Sequence, residues 1–140
     1  NRPNLWKEKY DGDILKSLCF AEDIFGGQFC IQNDAIVYFE PETGEFENVA
    51  KSLEDWARLI CKDYEVLTGY PLARAWQLKH GALPIGKRLI AKLPFVLGGE
   101  YNVNNLAAID AQRGMLIRAN LAEQIKHEPD GSKIQFKIVE

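Results

Sequence analysis

Histidine, methionine, serine and cysteine are scarce in this chain, and each scarcity closes off a chemistry. Of 140 residues, two are histidine and one is methionine. His80 and His127 stand far apart with no HxxE or HxxxH partner, so neither a zinc site nor a histidine base is expected. Both fall where helices are expected to end. Ser17, Ser52 and Ser132 carry no nucleophile elbow, and no metal or other cofactor is expected. The cysteines Cys19, Cys30 and Cys61 leave one thiol unpaired under any disulfide scheme, form no CxxC, and have apolar neighbours. They read as small buried hydrophobes of a reducing cytoplasm.

Long apolar runs are missing too. None approaches the roughly 20 residues of a membrane-spanning helix, and the polar start Asn1-Arg2-Pro3-Asn4 leads into no signal-peptide core. With no initial Met, the chain is expected to begin inside a longer gene product. The glycine pairs Gly26-Gly27 and Gly98-Gly99 fit neither a dinucleotide fingerprint nor a P-loop, and Glu100 would repel a phosphate beside the second. They are expected to serve backbone bends, with a positive φ in at least one of Gly98 and Gly99. The chain is acidic overall and has no RNP-like aromatic motif, so direct contact with DNA or RNA is not expected.

What is present suits one globular domain over residues 1–140. Apolar residues make up 46% and charged residues 26%, and no linker or repeat divides the chain. The net charge of −3 is unevenly spread. Residues 22–65 hold eleven acidic against three basic side chains, whereas residues 66–140 hold ten basic against six acidic. Such asymmetry shapes a directional surface field.

The first half reads as β. Leu18-Cys19-Phe20-Ala21, Gln28-Phe29-Cys30-Ile31 and Ala35-Ile36-Val37-Tyr38-Phe39 are separated by Gly26-Gly27 and Asn33-Asp34, and Pro41-Glu42-Thr43-Gly44 forms a turn. Neighbours so close in sequence pair as antiparallel hairpins. A helix is predicted after the N-cap Ser52, its face lined by Leu53, Trp56, Ile60, Tyr64 and Leu67, with Trp56 as a core anchor. Gly69 ends it, and Pro71 opens a second helix with a Leu72, Ala75 and Trp76 stripe that Gly81 stops. Beyond lie irregular chain around Pro84 and Gly86, an extended Phe95-Val96-Leu97, and an extended Val103 to Ile109. Residues 115–127 mix strand and helix character and turn helical towards the end. After Pro129-Asp130-Gly131, the alternation of Ile134, Phe136 and Ile138 predicts a half-buried strand.

Six stretches, in order, carry a resemblance. Phe20-Ala21-Glu22-Asp23-Ile24-Phe25-Gly26-Gly27-Gln28-Phe29 resembles a signature of one branch of the SUKH superfamily. Phe39 to Glu45, Ser52 to Trp56, Leu93 to Tyr101, Asn105-Leu106 and Pro129-Asp130-Gly131 are similar to that branch as well. The resemblance implies an α+β fold with a central, twisted, mostly antiparallel sheet and helices packed against it. For many bacterial members it implies an immunity protein that binds and neutralises a cognate toxin; yeast members regulate cell-wall glucan synthesis through protein partners. It carries over no catalytic residues. Family members open with an amphipathic helix and an Asn-Gly-type turn ahead of the Leu5-Trp6 position, which this chain lacks; an uncovered apolar segment is therefore expected.

The expected function is non-catalytic protein binding. Glu40, Glu42, Glu45 and Glu47 cluster around the Pro41–Gly44 turn as exposed side chains able to reach the basic cleft of a nuclease-type toxin. Alternatives are a regulatory scaffold for a host protein and a small enzyme, which a convergent pocket of buried titratable groups would favour. Should the acidic turn not serve, the basic surface around Arg113, Arg118 and Lys126 is the next candidate.

Overall fold

The computed structural model describes residues 6–136. It is an α+β fold with a four-stranded antiparallel sheet, a separate two-stranded sheet and three α-helices. Strands β1 (Leu18–Glu22), β2 (Gln28–Gln32), β3 (Ala35–Glu40) and β4 (Glu45–Ala50) form the first sheet in chain order. Asn33 and Asp34 both take positive φ, 47° and 65°, the backbone a tight two-residue hairpin needs. The Pro41–Gly44 turn joins β3 to β4, with Gly44 at φ 74° donating its N–H to Glu40 O at 2.8 Å.

One face of this sheet presents Cys30, Val37 and Phe39, which pack against Trp6, Tyr10 and Ile14 of the N-terminal segment and Met115, Ala119 and Ala122 of a helix. Phe39 sits among rings, 4.8 Å from Tyr10 and 6.0 Å from Trp6 between centroids. Residues 1–5 lie outside the described residues. The next ones form two short 3-10 turns, Lys7–Lys9 and Gly12–Leu15, that deliver those three side chains. The core is thus covered here, while Leu15 and Leu18 remain exposed.

The other face carries Phe29 and Tyr38 and meets α1 (Leu53–Thr68). Ser52 caps α1 by accepting Asp55 N–H at 3.1 Å, and Gly69, at φ 72°, ends it and begins α2 (Tyr70–His80). The amphipathic face is shallower than expected. Trp56 is half-buried, and Leu53 and Tyr64 are exposed. Trp56 still meets Phe20 at 4.8 Å and Phe29 at 5.5 Å, but its indole N–H is buried without an acceptor among the described residues. Trp56→Ala is therefore expected to cost about 2–3 kcal/mol in equilibrium denaturation, below the usual range for a fully buried Trp. Trp56→Phe removes the orphaned donor and should cost under about 1 kcal/mol. Equal losses in the two variants would mean that ring contact is not what Trp56 supplies.

In α2 the inward stripe runs through Leu72, Ala73 and Trp76; Ala75 is exposed, against expectation. The second half departs further from the sequence reading. Lys87–Ala91 is strand β5, not irregular chain, and pairs antiparallel with β6 (Leu106–Asp110). Phe95–Leu97 is a 3-10 turn, as is Val103–Asn105. Helix α3 spans Ala111–His127 in full, although Gly114 weakens its signature. There the absent Cβ has a use: it would lie 3.0 Å from Ile90 Cδ1, so glycine lets α3 settle onto β5. Residues 132–136 form no strand, since none of the described strands pairs with them, although Ile134 and Phe136 are half-buried in alternation; Ile138 lies outside the described residues. The sheets are tied by Leu89 N–H donating to Ile24 O at 3.2 Å and by an Arg88–Glu22 ion pair.

Candidate functional site

Between β3–β4, the α1–α2 junction, β5 and α3 lies a cleft of about 310 Å³. Its polar lining comprises four carboxylates, Asp23, Glu40, Glu42 and Glu47, one guanidinium, Arg118, and the hydroxyls of Tyr38 and Tyr101. Val49, Val66 and Phe95 are among its apolar lining.

Asp23 closes β1 and is 8% exposed. Its Oδ1 accepts the N–H groups of Phe25 at 2.9 Å and Gly27 at 2.8 Å, and its Oδ2 accepts the Tyr38 hydroxyl at 2.8 Å. The loop Gly26-Gly27 makes this possible. Gly26 takes φ 85°, and a Cβ on Gly27 would collide with the Tyr38 ring and hydroxyl. Burial pushes the Asp23 carboxyl above its ordinary range, opposed by these hydrogen bonds and by the charge of Arg118. Burial likewise raises Tyr38, with the neighbouring Asp23 charge adding to it.

Arg118 is 4% exposed and takes part in none of the ion pairs formed among the described residues. Its guanidinium donates to Phe25 O at 2.7 Å, Gly114 O at 3.1 Å and Met115 Sδ at 3.1 Å. A charge buried this way acts through its field on the surrounding acids rather than through contact. That corrects the fallback surface, since Arg118 is an interior group. Lys126 pairs with Asp11 at 3.1 Å.

The four glutamates of the acidic turn part company. Glu42 is 6% exposed and accepts Val96 N–H at 2.9 Å, docking the 93–100 loop onto the turn; it is not the exposed side chain expected. Glu40 is half-buried and accepts Glu42 N–H at 3.0 Å. Burial raises its carboxyl, and the Glu42 and Asp23 charges raise it further, against the lowering by Glu42 N–H and Arg118. Glu45 and Glu47 are exposed, and Glu47 stands opposite Tyr38 in the β3–β4 register, which carries it to the cleft.

Phe25, Phe95 and Tyr101 form an aromatic trio at the cleft, their centroids 5.1–5.9 Å apart. The loop bearing two of them is held by the glycine pair and Asn105. Gly98 has φ 86°, and a Cβ on Gly99 would meet the Leu93 carbonyl, so both glycines answer to the backbone. Asn105 accepts Leu93 N–H at 2.9 Å while donating to the carbonyls of Leu93 at 2.9 Å and Glu100 at 3.0 Å.

Acids at one wall, aromatic faces at another and a single interior cation between them suit a cationic, partly apolar group such as an arginine or lysine side chain. Sequence reasoning found Glu40 and Glu47 through charge density. It missed Asp23 and Tyr38, although an aspartate two and four residues before loop N–H groups was an available sign of a side-chain-capped turn. No histidine or cysteine lines the cleft. Among the described residues, no helix is long and apolar enough to cross a membrane, and no group of three His, Cys, Asp or Glu could hold a metal. No protein-family model matches this chain, and no curated protein matches it either.

Proposed function

We propose that this chain is a non-catalytic protein-binding domain of the SUKH type, an immunity protein that binds and neutralises a cognate bacterial toxin in the cytoplasm. The observation that carries this reading is the acidic, aromatic-lined cleft flanked by the exposed Glu45 and Glu47. A toxin acting on nucleic acid needs a basic surface for phosphates, and this face is its electrostatic complement. A basic side chain of the toxin enters the cleft, its stem against Val49 and Val66 and its charge towards Glu40 and Glu47. A regulatory scaffold would use the same face on a host protein; a neighbouring toxin gene distinguishes the two.

Buried, convergent acids are also what a small enzyme would show, and Glu40, raised by burial, is the group a proton-donor role would use. Binding is preferred because Asp23 already accepts three hydrogen bonds and Arg118 donates three within the fold. These two groups hold the cleft open rather than wait for a substrate.

The test uses the partner found by gene neighbourhood or native pull-down. Glu42 must be left alone, because its loss would release Val96 and confuse folding with binding. In the triple variant Glu40→Gln, Glu45→Gln, Glu47→Gln, the association rate at low salt should fall roughly tenfold or more and lose most of its salt dependence. Stability at pH 7 should not fall. The Glu40 carboxyl, raised in the fold, favours folding only at low pH and loses that as pH rises through its folded value, so at neutral pH its charge is a cost that Gln removes. Unchanged kinetics would take the acidic turn out of the interface.

A further inference from the structure

Cys19 and Cys30 lie on the core face of the sheet, away from the cleft, and are direct cross-strand partners in the β1–β2 register. Directly opposed antiparallel residues have Cα atoms about 4.5 or 5.5 Å apart, and both spacings fall in the range a disulfide spans. Their sulfurs are 2.9 Å apart and share a hydrogen bond. Neither was expected to do more than fill space, and Cys61 is exposed, not buried.

Lys7 supplies the second observation. It is 9% exposed, donates to Ser17 O at 2.9 Å, lies 5.9 Å from the Trp6 ring, and is in none of the ion pairs formed among the described residues. A buried ammonium without a carboxylate favours an anion beside it. Hydrogen bonding from the Cys30 thiol brings Cys19 down to about 7 despite burial, and Lys7 contributes to the lowering. Cys30 is held up by the same bond and by burial. Cys19 is half-buried and Cys30 fully so, which leaves Cys19 the less enclosed residue of the pair.

We propose that Cys19 and Cys30 form a peroxide-reactive dithiol, in which Cys19 takes the oxidant and Cys30 resolves it into a cross-strand disulfide. The Cys19 thiolate attacks one oxygen of hydrogen peroxide, the O–O bond breaks, and hydroxide leaves to become water, giving a sulfenic acid. The Cys30 sulfur then attacks the Cys19 sulfur, the S–O bond breaks, and the leaving hydroxide takes the Cys30 proton as a second water. Two thiols surrender two electrons, and one peroxide becomes two waters.

The folded full chain, first with its own residues and then with Cys61→Ser, is treated with one equivalent of hydrogen peroxide and alkylated. It is then cut with a glutamate-specific protease, which cleaves at Glu22 between the two cysteines. A Cys19–Cys30 linked peptide that dithiothreitol separates is expected in both. Before oxidation, Cys19 should alkylate at neutral pH at least about tenfold faster than Cys30. In a Cys30→Ser background, dimedone should label Cys19. Cysteines 19 and 30 still fully alkylated after peroxide, or a disulfide confined to Cys61, would overturn the proposal. Mapping the unaltered chain keeps the test valid should Cys30→Ser fail to fold.

Discussion

Arg118→Met is expected to destabilise the fold by about 2–4 kcal/mol at pH 7, and by distinctly less near pH 4. Methionine keeps much of the side-chain volume but leaves Phe25 O without the donor it meets at 2.7 Å, in a buried setting where the lost bond was charge-assisted. The pH dependence comes from the acids. Burial raises Asp23 and Glu40 in the fold, and the Arg118 charge works against that rise in both. An acid raised by folding favours the fold below its unfolded value and loses that contribution as pH climbs through the folded value, leaving a net cost at neutral pH. Without Arg118 both folded values move higher and the neutral-pH cost grows, while protonated carboxyls at low pH do not register the change. Urea midpoints of the two proteins should therefore separate as pH rises from about 4 to 7. A gap of constant size would leave Arg118 as a hydrogen-bonding strut with no electrostatic part.

Asp23→Ala should cost a similar amount, about 3–4 kcal/mol, by a different route. It deprives three donors at once, the N–H groups of Phe25 and Gly27 and the Tyr38 hydroxyl, two of them on the loop that shapes the cleft. Asp23→Asn is the informative companion. Its carbonyl still accepts from the loop, the Tyr38 oxygen can accept from its amide, and no charge is buried, so less than half of the loss is expected. Denaturant unfolding of the two variants separates hydrogen bonding from charge. A loss under about 1 kcal/mol in the alanine variant would mean that the loop holds its shape through Gly26 and Gly27 alone.

The hairpins and the first two helices were legible because each is punctuated locally. Asn33-Asp34, Pro41–Gly44, Ser52, Gly69 and Pro71 all act within a few residues of themselves. Strand β5 escaped because Leu89-Ile90-Ala91 is a short apolar run whose strand partner begins fifteen residues later, across two 3-10 turns. Helix α3 was half-hidden by Gly114, whose purpose is visible only against Ile90. The site divides the same way. Charge density picked out Glu40 and Glu47, but Glu42 looks identical in sequence and is buried by a bond to Val96, 54 positions away. Arg118, taken for surface, is drawn inside by the Phe25 carbonyl, 93 positions away.

The Asn105 side chain, finally, plays the part of a short piece of β-strand. Its amide gives and receives one hydrogen bond with Leu93, as a neighbouring peptide group would, so the two-stranded sheet gains an extra rung made of side-chain atoms. The main-chain bonds of Leu97, Gly98 and Gly99, back to Pro94 and Phe95, fold the segment onto itself above that rung. The wall that carries Phe95 and Tyr101 is hence expected to behave as one plate, its amides exchanging with solvent in a single cooperative event and not residue by residue.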